Sequence, residues 1–151
     1  MTDAMKQLHP SIVDSFSLQI GGKTFSAAIK KAIVSPNYSV LFVSNEYFFG
    51  RESLYGDRSG DYPDNFIRFL FFQKAALEFV KKNNLFFDII HCNDWQTAMI
   101  PLFVKLETRS ALFKKTKVVF SIHNLGYQGI FAESFFKETG LPPYLFTPEY
   151  L

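Results

Sequence analysis

Between residues 16 and 29 apolar and polar positions alternate: Phe16, Leu18 and Ile20, then Phe25, Ala27 and Ile29, with Gly21-Gly22 at the centre. A period of two puts alternate side chains on one face of a strand, and paired glycines suit a tight reversal, so the pattern predicts a β-hairpin. Residues 39–44 are mostly apolar, preceded by Pro36-Asn37 and followed by Asn45, and predict a buried strand. The period then changes. Phe66, Phe69, Leu70, Ala76, Leu77 and Val80 recur at spacings of three and four, while Ile67, Phe71 and Phe79 widen the stripe. So broad a stripe predicts a largely buried helix. Asp61-Tyr62-Pro63-Asp64 supplies its start, and it runs to about Lys82.

Residues 87–92 and 117–122 predict two further strands, with a helical stretch over residues 95–107 between them. Strand, helix and strand in that order make a parallel pair. Pro101 lacks a backbone N–H, which leaves either a kink or a delayed helix start. Residues 132–139 predict a short helix stopped by Gly140 and Pro142-Pro143. Residues 45–61 mix glycines, aromatics and charges without any period and read as a loop, the kind of segment that often carries function. The fold class is α/β.

At 151 residues the chain is about one domain long. Apolar residues at 48% and charged residues at 20% exclude a disordered tail and a membrane-embedded chain. The chain has nineteen Phe, with clusters at residues 66–72 and at Phe86-Phe87. They read as aromatic core, since a base-stacking groove would interleave them with Lys or Arg. A net charge of +2 implies neither a nucleic-acid partner nor an anionic membrane. Cys92 is the only cysteine, which excludes an internal disulfide and a multi-thiolate metal site and fits a reducing compartment. Residues 1–10 lack the apolar core of a signal peptide, and no apolar run is long enough to span a bilayer, so the expected location is cytoplasmic.

In an open parallel sheet, ligands bind beyond the carboxyl ends of the strands. Two polar segments fall there: Asn93-Asp94-Trp95, and His123-Asn124 followed by Leu125-Gly126-Tyr127-Gln128-Gly129, whose glycines allow close backbone approach. Asp94 has two readings, as the cap of the helix that follows and as a ligand group. His123 likewise is either structural or functional; its place opposite Asp94 on a neighbouring strand puts two polar strand ends beside one pocket. His91 reads as structural and Cys92 as a small buried apolar group. There is no Gly-x-Ser-x-Gly turn, and no cysteine beside a base. His9, His91 and His123 form no close-spaced ligand pair, and no glycine-rich phosphate loop opens a helix, so no metal or cofactor is predicted.

Tyr47-Phe48-Phe49-Gly50-Arg51, Leu54-Tyr55-Gly56-Asp57, Asp64-Asn65 with Arg68-Phe69, and the segments 91–95 and 122–129 together resemble one family in order and spacing. It is the bacterial glycogen synthases and plant starch synthases. The resemblance implies a Rossmann-like parallel-sheet lobe of a two-lobed, GT-B-type glycosyltransferase, carrying an N-terminal β-hairpin. It also implies transfer of glucose from ADP-glucose to the non-reducing end of an α-1,4-glucan with retained anomeric configuration, without metal. By similarity, His123 hydrogen-bonds the transferred glucose, Asp94 holds sugar hydroxyls, Tyr55 stands nearby in its loop, and Asn124 is the best further substrate contact.

The family's opening Lys-x-Gly-Gly-Leu loop is absent from these 151 residues, and its second lobe would have to follow Leu151. The resemblance therefore implies that residues 1–151 form a partial first lobe, with little or no transferase activity alone, and that a separate chain carrying the C-terminal lobe is a partner. Two alternatives stay open: a non-catalytic glucan-binding or interaction module that kept the acceptor side of the cleft, and a fold preserved without a ligand.

Overall fold

The computed structural model describes residues 9–107 and 110–148. Residues 1–8 of the stretch read for targeting signals lie outside them. Strands β1 (Ser11–Ile20) and β2 (Lys23–Ser35) are antiparallel, with Phe16 opposite Ala27 and Leu18 opposite Phe25. Gly21 and Gly22 take φ of 55° and 74°, the pair of positive values that a two-residue hairpin turn matched to strand twist requires. Strand β3 (Tyr38–Ser44) adds to the other side of β2, so the hairpin grows into a three-stranded antiparallel sheet. The strand is where the sequence predicted it, but it is an edge strand and not a buried one: Tyr38 and Leu41 are 59% and 42% exposed.

The aperiodic stretch 45–61 is partly ordered. Asn45 caps a one-turn helix, α1 (Glu46–Phe49), by accepting the Phe48 N–H at 2.9 Å. Two-residue strands β4 (Gly56–Asp57) and β5 (Gly60–Asp61) then form a small antiparallel ladder. Helix α2 (Asn65–Lys82) begins later than its acidic start signal indicates. Asp64 makes no side-chain cap bond; its two carboxylate oxygens accept from Arg51 at 2.8 and 2.6 Å.

Helix α2 packs on β1 and β3. Phe71 and Ala75 are fully buried and Leu70 nearly so. The Phe48 ring lies 4.7 Å from Phe25 and 4.8 Å from Phe71, joining α1, β2 and α2 in one aromatic cluster. Burying a side chain such as Phe71 contributes about 1.5–3 kcal/mol. The predicted stripe needs two corrections: Ala75, not Ala76, faces the core, and the polar residues Asn65, Arg68 and Gln73 are buried with it. The aromatic run at residues 66–72 is core, whereas Phe86 and Phe87 are 69% and 44% exposed, in the connection that follows α2.

Strands β6 (Ile89–Asn93) and β7 (Lys117–Ser121) form the parallel pair, with His91 opposite Val119 and Asn93 opposite Ser121. Between them come a 3-10 turn, Trp95–Thr97, and helix α3 (Ile100–Leu106). Pro101 stands in the first turn of α3, where its missing N–H costs no helical bond, so the delayed start is the outcome and not the kink. Cys92 is buried, and burial pushes its thiol upward, as suits an inert core group. His91 is exposed and shares a 2.8 Å hydrogen bond with Ser121 Oγ, so it ties the two strands together from the outer face and does not enter the packing. The predicted helix at residues 132–139 is a 3-10 helix, Glu133–Thr139, closed by left-handed Gly140. A last 3-10 turn spans Pro143–Leu145. No helix among the described residues is long and apolar enough to cross a membrane.

Candidate functional site

Asp94 leaves the end of β6 with φ 57° and ψ 178°, a backbone region that only glycine adopts freely and that costs another residue about 1–3 kcal/mol. The surroundings hold it there from several sides. Its N–H donates to Ser121 O at 2.9 Å, and its carbonyl accepts the Thr97 N–H at 3.0 Å. Its Oδ1 accepts the main-chain N–H of His123 at 2.7 Å. The carboxylate makes no helix-cap bond, which removes the capping reading of Asp94. Among the described residues Oδ2 has no protein partner, so it is free for a ligand.

His123 follows β7 and turns its ring toward the neighbouring strand end, where Nε2 and Asn93 Oδ1 are 2.8 Å apart. With the amide oxygen as acceptor, Nε2–H is the donor of this bond. Asn124 accepts the Gly126 N–H at 2.9 Å through Oδ1, a local turn that keeps its amide nitrogen uncommitted. Tyr55 comes from the opposite side, on the segment before β4. Its hydroxyl accepts from Gln96 Nε2 at 2.7 Å, and its ring centroid is 6.2 Å from those of Trp95 and Tyr127.

These groups border an open cleft of about 370 Å³ lined by Tyr55, Asp61, Asp94, Trp95, Gln96, Asn124 and Tyr127. Three of the four predicted residues, Tyr55, Asp94 and Asn124, thus share one cleft, and His123 adjoins it through its bond to Asp94. A larger hollow of about 740 Å³ within residues 133–146 contains none of the four.

Asp61 and Gln96 were not evident in the sequence as site residues. Asp61 reads there as a helix start, yet its carboxylate accepts the Tyr127 hydroxyl from 66 positions away. That bond is also the main reason the Tyr127 phenol is pushed above its ordinary value. Gln96 stands one residue past the segment 91–95, and only the fold brings Tyr55 to it.

The floor beneath is aromatic. Trp95 packs edge-on against Phe69 at 4.8 Å and beside Phe131 at 5.3 Å. Gly129, at φ 62°, passes so close to the indole that an added Cβ would fall 2.4 Å from Trp95 Cδ2. Carboxylate and amide groups beside aromatic faces suit a neutral polyhydroxyl ligand, whose hydroxyls need acceptors and whose C–H faces need apolar contact. No lining residue is a lysine or arginine, so the cleft offers nothing to neutralise a phosphate.

A family model described as the starch synthase catalytic domain matches residues 2–151. Among curated relatives, Glycogen synthase 2 of Geobacter sulfurreducens is 44% identical over 138 residues, covering 91% of this chain and 28% of the relative. The glycogen synthase of Geotalea daltonii is 45% identical over 134 residues, covering 88% and 28%. The catalytic domain of Starch Synthase IV from Arabidopsis thaliana, solved bound to ADP and acarbose, aligns with a TM-score of 0.71 at 32% identity. That alignment covers 91% of this chain and 29% of the other. The chain spans about 28% of the length of these two curated relatives.

Proposed function

The chain belongs to the starch synthase catalytic-domain family, and from that premise we propose that it forms the glucan-facing side of a cleft in which glucose passes from ADP-glucose to the non-reducing end of an α-1,4-glucan, with retained anomeric configuration. The observation that carries this reading is the bond from His123 N–H to Asp94 Oδ1, which fastens the two family segments into one polar edge beside Tyr55 and Asn124. Asp94 Oδ2 accepts sugar hydroxyls. His123 stands at the transferred glucose, Tyr55 supplies an aromatic face, and the amide of Asn124 donates to a further hydroxyl.

Transfer from a nucleotide sugar requires positive charge on the leaving diphosphate. The lining of this cleft has none. We assign that charge to the remainder of the catalytic domain, supplied by a further segment or by a separate chain carrying the C-terminal lobe, so residues 1–151 alone have little or no transferase activity. Cytoplasm is the proposed location, in keeping with the lone buried Cys92.

A chimera tests the proposal. This chain replaces the matching segment of the Geobacter sulfurreducens enzyme, and incorporation of labelled glucose from ADP-glucose into glycogen is measured. The chimera is expected to be active and the chain alone inactive. His123→Ala and Asp94→Asn in the chimera should each lower the rate about a hundredfold or more. Unchanged rates in both variants would refute the site assignment, and robust incorporation by the chain alone would refute the division of the cleft.

A further inference from the structure

Asn65 and Arg68, on the first turn of α2, are only 2% and 1% exposed. Neither lines the cleft. Arg68 donates through Nε to Phe48 O at 2.8 Å, and through Nη1 to Leu54 O at 2.9 Å and Asn65 Oδ1 at 2.6 Å. Asn65 Nδ2 in turn donates to Tyr55 O at 2.7 Å. A buried guanidinium that meets carbonyl and amide oxygens, and among the described residues no carboxylate at ion-pair distance, is a costly way to stabilise a helix end. What distinguishes the arrangement is what it grips. Two of its acceptors are the carbonyls of the consecutive residues Leu54 and Tyr55, on the segment that carries Tyr55 and, across the β4–β5 ladder from Gly56, Asp61 into the cleft.

We propose that Asn65 and Arg68 are positioning residues for the cleft: by seating the main chain of Leu54 and Tyr55 on α2, they hold the Tyr55 ring beside Trp95 and its hydroxyl on Gln96. The bond from Tyr62 N–H to the Tyr55 carbonyl, at 2.8 Å, closes the segment on itself, and the two buried side chains fasten it to the helix. The planar fork of Arg68 is needed because its donors reach acceptors in different directions at once, which a lysine ammonium at the end of a flexible stem does not reproduce. The consequence for sugar binding rests on the reading of this cleft as a glucan site.

Asn65→Asp is the discriminating variant. It is isosteric and keeps an oxygen for Arg68, so the guanidinium stays paired, but it sets a carboxylate oxygen against the Tyr55 carbonyl where a donor stood. Trp95 is the only tryptophan, so its fluorescence reports on the Tyr55 side of the cleft. Without ligand, acrylamide quenching of Trp95 in Asn65→Asp is expected to rise roughly twofold, while the urea midpoint stays near that of the parent chain. In a maltoheptaose titration, Asn65→Asp and Arg68→Lys are each expected to raise Kd about tenfold, and to add nothing further on a Tyr55→Ala background. Unchanged quenching in Asn65→Asp overturns the proposal, as do losses that add fully to that of Tyr55→Ala. If the parent chain binds no maltoheptaose while quenching still rises in Asn65→Asp, the glucan reading falls and the seating of Tyr55 stands.

Discussion

The main-chain N–H of His123 donates to Asp94 Oδ1 at 2.7 Å, so the chain leaving β7 is held by the carboxylate that leaves β6. Asp94 makes that bond from a backbone conformation suited to glycine. Replacing it should therefore invert the usual preference for alanine over glycine. Both Asp94→Ala and Asp94→Gly lose the hydrogen bond, a matter of about 0.5–1.5 kcal/mol, but only glycine also relieves about 1–3 kcal/mol of backbone strain. Urea denaturation is expected to place Asp94→Gly above Asp94→Ala in stability, with maltoheptaose binding lost in both. The opposite order would show that the backbone at Asp94 is not strained.

At Gly129 the site depends on the absence of a side chain. An added methyl meets the Trp95 indole at 2.4 Å, and φ is already 62°. Gly129→Ala should lower stability by about 1–3 kcal/mol and shift Trp95 emission. At Gly126 the nearest atom to an added Cβ is Asn124 Oδ1 at 3.3 Å, so Gly126→Ala should change both much less. Equal effects from the two variants would remove the indole contact as the cause.

Much of this fold was legible because periodicity records which face of an element is buried. The alternation around Gly21-Gly22, the stripe of α2 and the strand–helix–strand order of residues 87–122 all reappear in the structure. Pairings between distant side chains leave no such trace. Asp64 has the form of a helix cap, but Arg51, 13 positions earlier, takes its carboxylate and the helix starts at Asn65. Phe86 and Phe87 match the buried aromatics in type and differ only in position, after the helix ends and before β6 begins. At the site, residue type and strand-end position marked Asp94 and His123 as candidates. That β7 lies beside β6 follows from the strand–helix–strand order, but the bond from His123 N–H to Asp94 Oδ1 and the unusual backbone that allows it have no local pattern.

The rim of the cleft should respond to alkali. Asp61 accepts the Tyr127 hydroxyl and pushes that phenol above its ordinary value of about 10. The folded chain holds this proton more tightly than the unfolded chain does. The contribution is therefore complete below the ordinary value and lost as pH rises through the raised one. Tyrosine ring-carbon NMR should show one ring that titrates later than an ordinary phenol, and Tyr127→Phe or Asp61→Asn should abolish that late transition. A Tyr127 that titrates at the ordinary value would break the link between the two segments.

Acid acts elsewhere. Near the far end of α2, Asp14 accepts from Lys82 at 2.6 Å and from Asn83 at 3.0 Å, and these bonds hold its carboxyl below the usual range. Their contribution is present above the ordinary aspartate value and is lost as pH falls through the depressed one. The acceptors of Arg68 are two peptide carbonyls and an amide, none of which takes up a proton in that range. Amide hydrogen exchange followed down the pH scale should therefore open the last turn of α2 before its first. As the solution is acidified, the helix lets go of the hairpin at Lys82 while it still holds Tyr55.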